Sequence, residues 1–259
     1  MKEAPTSLQA ESAKHLSFLN SMLTKQHVLH DYKDVFSGLG RLPGTYHIET
    51  DPTMKPKQKI LRRVPIPVQD ELKKKIEDLE EMGVIAKVTT PTPWIRSMVV
   101  VRQPNKLRVC LDPSDLNKAI IRNHYPTPTI DEKSPKLTNA KVFSVVDAKD
   151  GFLKIVLDEL SSYLTTFWTP YGRYRWLRMP FGIKSAPEEF QRRINECIEG
   201  LPNIAAVHDD IIIYGTGETE EEAMACHDAA LKDLLDRCRE HNLKLNPKKL
   251  KFKLDRVTY

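Results

Sequence analysis

Cysteine is scarce in this 259-residue chain, which contains only four: Cys110, Cys197, Cys226 and Cys238. They show neither CxxC spacing nor a paired histidine pattern, which argues against a zinc site. Cys110 lies in an apolar run and Cys197 on an apolar helical face. We therefore expect reduced thiols packed in the core of an intracellular protein.

Long apolar runs are also absent. No stretch reaches the roughly 18 apolar residues that a transmembrane helix requires, so no membrane span is expected. The first fifteen residues, MKEAPTSLQAESAKH, lack an apolar stretch behind a basic start, and no signal peptide is predicted. The patterns GxSxG, HExxH and GxxxxGK[ST] do not occur, which removes three familiar types of catalytic centre.

The charge balance is mildly basic, with 40 Lys and Arg against 35 Asp and Glu and a net charge of +5. Basic residues concentrate in residues 55–63 and in NPKKLKFK, whereas EDLEEM and GETEEEA are acidic. This distribution is compatible with a nucleic-acid partner without requiring one. At 40% hydrophobic residues, the chain can bury one large core or two modest ones.

The first third of the chain shows weak patterns. Residues 1–30 are weakly helical, and residues 31–68 are so rich in Gly and Pro that we interpret them as an extended arm rather than a packed domain. Residues 69–82 carry an apolar stripe that predicts a helix ending at Gly83. Residues 97–102 and 107–111 are strand-like and joined by a turn, and residues 112–138 are predicted to be irregular.

The pattern becomes regular from Val142 onward. A buried strand is predicted at residues 142–146, and residues 164–167 and 174–177 flank the turn TPYG. Ser185 and Glu188 fit a capping box before a helix, and residues 219–241 predict a long helix with acidic residues first and basic residues last. Two apolar runs, 204–207 and 211–214, are separated only by His-Asp-Asp. This order predicts an α+β fold with helices on one face of an antiparallel sheet.

Three carboxylates form the sharpest candidate site. Asp209 and Asp210 lie between two apolar strands, and Asp147 ends a third; each alone is also compatible with an ordinary turn residue. If the strands are neighbours in one sheet, the three meet at one edge, where their repulsion requires a cation. Oxygen ligands of this kind suit Mg²⁺, and two such ions about 3.5–4 Å apart can drive phosphoryl transfer.

At these residues the sequence resembles the reverse transcriptases of Gypsy-type long-terminal-repeat retrotransposons. The resemblance runs from about Tyr32 to Tyr259. Its blocks are LRVCLDPSDLNKAI, KVFSVVDAKDGF, YLTTFWTPYGRYRWLRMPFGIKSAPEEFQ, HDDIIIYG and LKLNPKK. It implies a right-hand polymerase fold with an N-terminal helix and arm at residues 1–54, fingers at 55–140 and palm at 141–259, without the thumb. It also implies an RNA-directed DNA polymerase, a nucleotidyltransferase.

The resemblance further implies roles for individual residues. Asp147 would be the metal ligand of the first motif, and Asp209 and Asp210 the pair of the motif usually written Y-x-D-D. The remaining residues would bind the nucleotide. Arg108 and Lys106 would bind the triphosphate, and Asp150 would lie by the sugar and triphosphate. Phe152 would exclude the 2′-hydroxyl, and Phe181 and Gly182 would lie under the nucleotide. Lys249 would protonate the leaving pyrophosphate. Core packing for Phe152, and solvated charge for Lys106, Arg108 and Lys249, are the alternatives.

The implied cofactor is Mg²⁺, as two ions with Mn²⁺ as an alternative, and the implied partners are dNTPs and an RNA or DNA template with its primer. No membrane partner is expected, the oligomeric state is open, and the expected location is the cytoplasm, the nucleus or both. His208 and Val207 depart from the usual motif, which favours an alternative: a weakly active or inactive fragment that only binds template–primer. A structural or regulatory protein is the third interpretation. No residues here support ribonuclease H chemistry.

Overall fold

The computed structural model describes residues 23–103, 106–126, 137–148, 150–207 and 209–257. Its helices are α1 (Lys25–Asp31), α2 (Ile66–Glu81), α3 (Ser114–Ala119), α4 (Glu159–Leu164), α5 (Ala186–Ile198) and α6 (Glu220–Glu240), with a 3₁₀ helix at Gly151–Lys154. Its strands are β1 (Thr45–Tyr46), β2 (Ile85–Lys87), β3 (Arg96–Gln103), β4 (Lys106–Leu111), β5 (Ala140–Asp147), β6 (Val156–Leu157), β7 (Phe167–Thr169), β8 (Gly172–Trp176), β9 (Ile204–Val207), β10 (Asp210–Thr216) and β11 (Lys251–Leu254).

One antiparallel sheet, in the order β11-β5-β10-β9, carries the predicted carboxylates. α6 packs on β10 and β5, and α5 packs against β9. Gly215 allows α6 to approach closely, because a Cβ at that position would lie 2.0 Å from the carbonyl oxygen of Ala223. The predicted α+β fold, with an antiparallel sheet backed by helices, is confirmed.

A second, mixed sheet has the order β2-β8-β7-β3-β4, and its β3–β7 pair is parallel. The predicted strand pair at residues 97–102 and 107–111 is confirmed as the β3–β4 hairpin. The prediction of a strand over residues 164–167 is wrong except at Phe167. Asp158 caps α4 there, and the Thr165 and Thr166 hydroxyls bond to backbone carbonyls, which keeps this stretch helical or turned.

Residues 31–68 have largely irregular backbone, as expected, but the interpretation of an unpacked arm is wrong for their first half. Val35, Phe36, Leu42 and Ile48 are buried in the core. The Ile48 amide also donates to the Ser161 hydroxyl at 2.7 Å. Gly and Pro therefore set the local backbone shape, while the apolar side chains between them supply the burial.

The helices differ from the predictions in three respects: one boundary, one unpredicted helix and one cap. α2 begins at Ile66 because Pro67 is favoured in a first helical turn. α3 interrupts the stretch that was expected to be irregular, of which residues 127–136 lie outside the described part. The Ser185 side chain forms no capping hydrogen bond, so the predicted capping box is wrong. The Glu188 carboxylate accepts a hydrogen bond from Arg122 instead.

The long C-terminal helix agrees with its prediction. Thr219 and Glu222 form a reciprocal capping box at the start of α6, and Arg237 and Arg239 lie in its last turn. In the described ranges, no helix is both long enough and apolar enough to cross a membrane.

Candidate active site

Two of the predicted carboxylates face each other across a strand pair. β10 pairs with β5 so that Asp210 lies opposite Asp147, and β10 pairs with β9 so that Asp210 also lies opposite Val207. Asp209 lies in the tight turn between β9 and β10, and its backbone carbonyl accepts a hydrogen bond from the Ala148 amide at 3.0 Å. The predicted meeting of these strands at one sheet edge is confirmed.

The three carboxylates do not all face the same space. A cavity of about 580 Å³ opens at this edge, and Asp147 and Asp209 are part of its wall, whereas Asp210 is not. Within the described ranges no three acidic, histidine or cysteine side chains are grouped as a ready metal-binding set.

Lys249 neutralises Asp147. Its ammonium nitrogen lies 2.6 Å from Asp147 Oδ2, and the Asn246 amide donates to the Asp147 backbone carbonyl at 2.9 Å. The hydrogen bond to Asp147 raises the pKa of Lys249, and the charges of Asp210 and Asp209 act in the same direction. The loop after α6 thus delivers a protonated amine directly to the carboxylate edge.

Asp210 is held in a less favourable environment. Burial, followed by repulsion from Asp147, raises the pKa of its carboxyl group, while Lys249 and Lys251 oppose the rise. A carboxylate whose charged form is disfavoured by its neighbours is one that a nearby cation would stabilise.

The turn after β5 places a flat aromatic ring, that of Phe152, against Phe181 of the cavity wall, although Phe152 is not itself part of that wall. Asp150 has left-handed backbone (φ 51°, ψ 39°) and precedes the 3₁₀ helix. Gly151 allows close packing there, because a Cβ would lie 3.2 Å from Phe190 Cζ and 3.4 Å from Asp209 Oδ1. The Phe152 ring lies 5.4 Å from that of Phe181 and 5.8 Å from that of Phe190, so its half-buried ring is fixed on two sides.

The Phe181–Gly182 loop is held by Asn117, a residue that the sequence did not single out. The Asn117 amide donates to the Gly182 carbonyl at 2.8 Å, and its oxygen accepts from the Lys184 amide at 3.0 Å. Gly182 has a φ of 101°, and a Cβ there would lie 3.1 Å from Pro113. Asn117 lies on α3, a helix that the sequence pattern did not predict, so its role in holding this loop was not recognised.

Of the two residues predicted to bind the triphosphate, Arg108 has a described side chain and Lys106 does not. Arg108 is exposed on β4 and is part of the cavity wall with Asp147, Asp150 and Phe181. Lys106 begins β4, but its side chain lies outside the described part of the chain, as does all of His208. The predictions made for these two side chains stay predictions.

Solved structures show which fold this is. The foamy viral protease-reverse transcriptase in complex with an RNA/DNA hybrid matches with a TM-score of 0.76 and 21% identity, over 100% of this chain and 36% of that chain. A second structure of that enzyme, in complex with double-stranded DNA, matches with a TM-score of 0.76 and 20% identity, over 100% of this chain and 47% of that one. The fold is that of a reverse transcriptase polymerase.

Sequence relatives identify the family. The reverse transcriptase (RNA-dependent DNA polymerase) profile matches residues 101–259. An uncharacterized protein of Caenorhabditis elegans is 32% identical, over 88% of this chain and 18% of the relative. The retrovirus-related Pol polyprotein from transposon 412 of Drosophila melanogaster is 38% identical, over 60% of this chain and 12% of the relative. The chain belongs to the reverse transcriptase family, and it spans under a fifth of the length of these two relatives.

Reverse transcriptases generally use divalent metal ions, and the residues at the sheet edge fit such ions. The donor set consists of carboxylate oxygens, which hard divalent cations prefer. Burial first, and then the charge of Asp147, raises the pKa of Asp210, and a cation bound beside these carboxylates would favour their charged forms. The fit rests on Asp147 and Asp209 in the cavity wall, with Asp210 directly opposite Asp147.

Proposed function

We propose that this chain is an RNA-directed DNA polymerase domain that adds deoxynucleotides to a primer 3′-hydroxyl on an RNA or DNA template. The observation that carries the proposal is the carboxylate edge, where Asp147 and Asp210 are paired across strands and Asp209 occupies the adjoining turn. The foamy viral enzyme, which shares the fold, was solved with an RNA/DNA hybrid and with double-stranded DNA. A template–primer partner is therefore consistent with the fold.

The cofactor in this proposal is a pair of Mg²⁺ ions, with Mn²⁺ as a substitute. Asp147 and Asp209 would hold them from the cavity wall, and Asp210 would add negative charge from the opposite strand. When bound, the ions would activate the attacking hydroxyl and stabilise the leaving pyrophosphate. Lys249 would donate a proton to the leaving pyrophosphate, and the contact with Asp147 keeps its ammonium group protonated until then.

The nucleotide would lie in the cavity between the β4 strand and the carboxylate edge. Arg108 would bind the triphosphate through charge-assisted hydrogen bonds from its guanidinium group. Asp150 and Gly151 would lie beside the sugar, since both are part of the cavity wall. Phe152 would sit under the sugar and exclude a 2′-hydroxyl, with its ring held by Phe181 and Phe190.

Primer extension tests this proposal. We expect Mg²⁺-dependent extension of a DNA primer on an RNA template, and we expect Asp209→Asn to lower the rate at least about a hundredfold, since removing a metal ligand costs several kcal/mol of transition-state stabilisation. Glu199→Gln, which changes an exposed carboxylate just after the last residue of α5, is the matched control and should leave the rate unchanged. If wild type and Asp209→Asn extend equally, the assigned chemistry is wrong.

The alternative is a domain that binds template–primer without extending it, which His208 in the aspartate turn favours. A filter-binding assay run beside primer extension separates the two. Salt-sensitive binding with no extension by wild type would support the alternative, since phosphate contacts release counterions. Extension that Asp209→Asn abolishes would reject it.

A further inference from the structure

A second cavity of about 470 Å³ lies beside the catalytic cavity. Both cavities have Arg108, Asp150 and Phe181 in their walls. The rest of the second wall is largely apolar: Leu39, Leu79, Met82, Leu107, Val109, Leu153 and Trp176. Its volume lies within the range of about 300–1,000 Å³ that is typical of small-molecule sites, and its apolar wall is of the kind that buries an aromatic ligand.

Two cations at this cavity have unused hydrogen-bonding capacity. Lys75 on α2 and Arg108 on β4 belong to its wall, and neither side chain forms a hydrogen bond or ion pair with another residue of the described ranges. Asp150 is the acidic residue of the wall, so the cavity has an excess of positive charge. An apolar pocket with surplus cations is complementary to a ligand that has an aromatic body and an anionic group.

We propose that this second cavity binds a small aromatic anion, with its ring against Leu79 and Trp176 and its anionic group at Lys75 and Arg108. The site differs from the nucleotide cavity, because Lys75, Leu79 and Trp176 are not part of the catalytic wall. Arg108 and Phe181 are shared by both walls, so a bound anion lowers nucleotide affinity. That last consequence alone rests on the proposed polymerase function.

Two fluorescent probes test the site directly. 8-Anilinonaphthalene-1-sulfonate carries the anionic group, and N-phenyl-1-naphthylamine is nearly the same molecule without it. We expect Lys75→Gln to weaken sulfonate binding by about two- to fivefold, the range for a partly exposed ion pair, and to leave the uncharged probe unaffected. Lys74→Gln, an exposed lysine one residue away on α2, is the matched control and should change neither.

A cavity-filling variant locates the binding. Val109→Phe adds a ring to the wall and should weaken both probes at least about fivefold, because the added side chain occupies the space that they need. If Lys75→Gln and Lys74→Gln bind the sulfonate equally, the proposal is wrong, whether or not Val109→Phe folds. Neither titration requires catalysis, so failure of this site and failure of the polymerase proposal are separate results.

Discussion

Replacing Asp210 with Asn should stabilise the folded protein while it impairs the proposed metal site. Asp210 is paired across strands with Asp147, and burial together with that neighbour raises its pKa. The folded state therefore carries an unfavourable negative charge at neutral pH. Asn keeps the size and shape of the side chain and removes the charge.

The magnitude follows from the strand geometry. Cross-strand partners have Cβ atoms about 5 Å apart, and two unit charges at that separation repel by roughly 3 kcal/mol at an effective dielectric constant of about 20. Lys249 and Lys251 oppose this repulsion, and Asp210 is only partly buried. We therefore expect a net stabilisation of about 1 kcal/mol, which is a rise of roughly 2–4 °C in Tm for a chain of this length.

The pH dependence has a definite sign. The pKa of Asp210 is raised in the folded state, so the folded protein binds more protons than the unfolded chain at pH values between the two pKa values. Wild-type stability therefore falls as pH rises through that interval. The advantage of Asp210→Asn should be fully present at pH 7. It should shrink as pH falls through the folded pKa and disappear below about 3.9, the unfolded value.

Thermal unfolding monitored by circular dichroism at pH 7 and at closely spaced lower values measures this difference. Asp233→Asn is the control, because Asp233 is exposed on α6 and a surface change usually stays within about 0.5 kcal/mol. A lower Tm for Asp210→Asn at pH 7, or a gain that does not change with pH, would contradict the reasoning.

Two further variants test other parts of the site, and a third tests a buried hydrogen bond between α6 and β5. Asn117→Ala removes the clamp on the Gly182 carbonyl, so the KM for dNTP should rise more than kcat falls; an unchanged KM would reject a positioning role. Phe152→Val should reduce discrimination against ribonucleotides at least about tenfold if the ring is a steric filter; a loss of stability with unchanged discrimination would mean core packing. His227→Leu breaks the buried hydrogen bond between His227 Nε2 and Ser144 Oγ, and should cost about 1–3 kcal/mol in urea unfolding. An unchanged midpoint there would contradict the importance of this bond.

The sheet that carries the carboxylates could be predicted because its strands are short, apolar and bounded by polar residues. The runs at 142–146, 204–207 and 211–214 became β5, β9 and β10. Only two residues separate β9 from β10, so a tight hairpin was the available connection. The apolar run of β5 ends at Asp147 and that of β10 follows Asp210, so an antiparallel pairing of the two strands brings these aspartates together.

The orientation of Asp209 and Asp210 could not be read with the same certainty. The sequence predicts that all three carboxylates meet, whereas the structure turns Asp147 and Asp209 toward the cavity and leaves Asp210 opposite Asp147. Which of two adjacent side chains faces the cavity depends on strand register. Register is set by tertiary packing that a single sequence pattern does not specify.

The features that the sequence did not reveal depend on distant contacts. α3 is six residues long, lacks a side-chain cap and gains its role through Asn117 and the Phe181–Gly182 loop. The burial of Val35, Phe36 and Leu42 comes from packing on the core, while nearby Gly and Pro residues make the local pattern resemble a linker. Short elements have weak intrinsic signals, so tertiary contacts decide their structure.

Binding of Mn²⁺, followed by electron paramagnetic resonance, tests the carboxylate edge most directly because it needs neither substrate nor turnover. Wild type should bind Mn²⁺, and Asp147→Asn and Asp209→Asn should each weaken binding at least about tenfold, the lower bound seen even for residues that only support a metal ligand. Mg²⁺ should compete for the same site. Equal Mn²⁺ affinity in wild type and both variants would contradict the claim that these aspartates hold the catalytic ions.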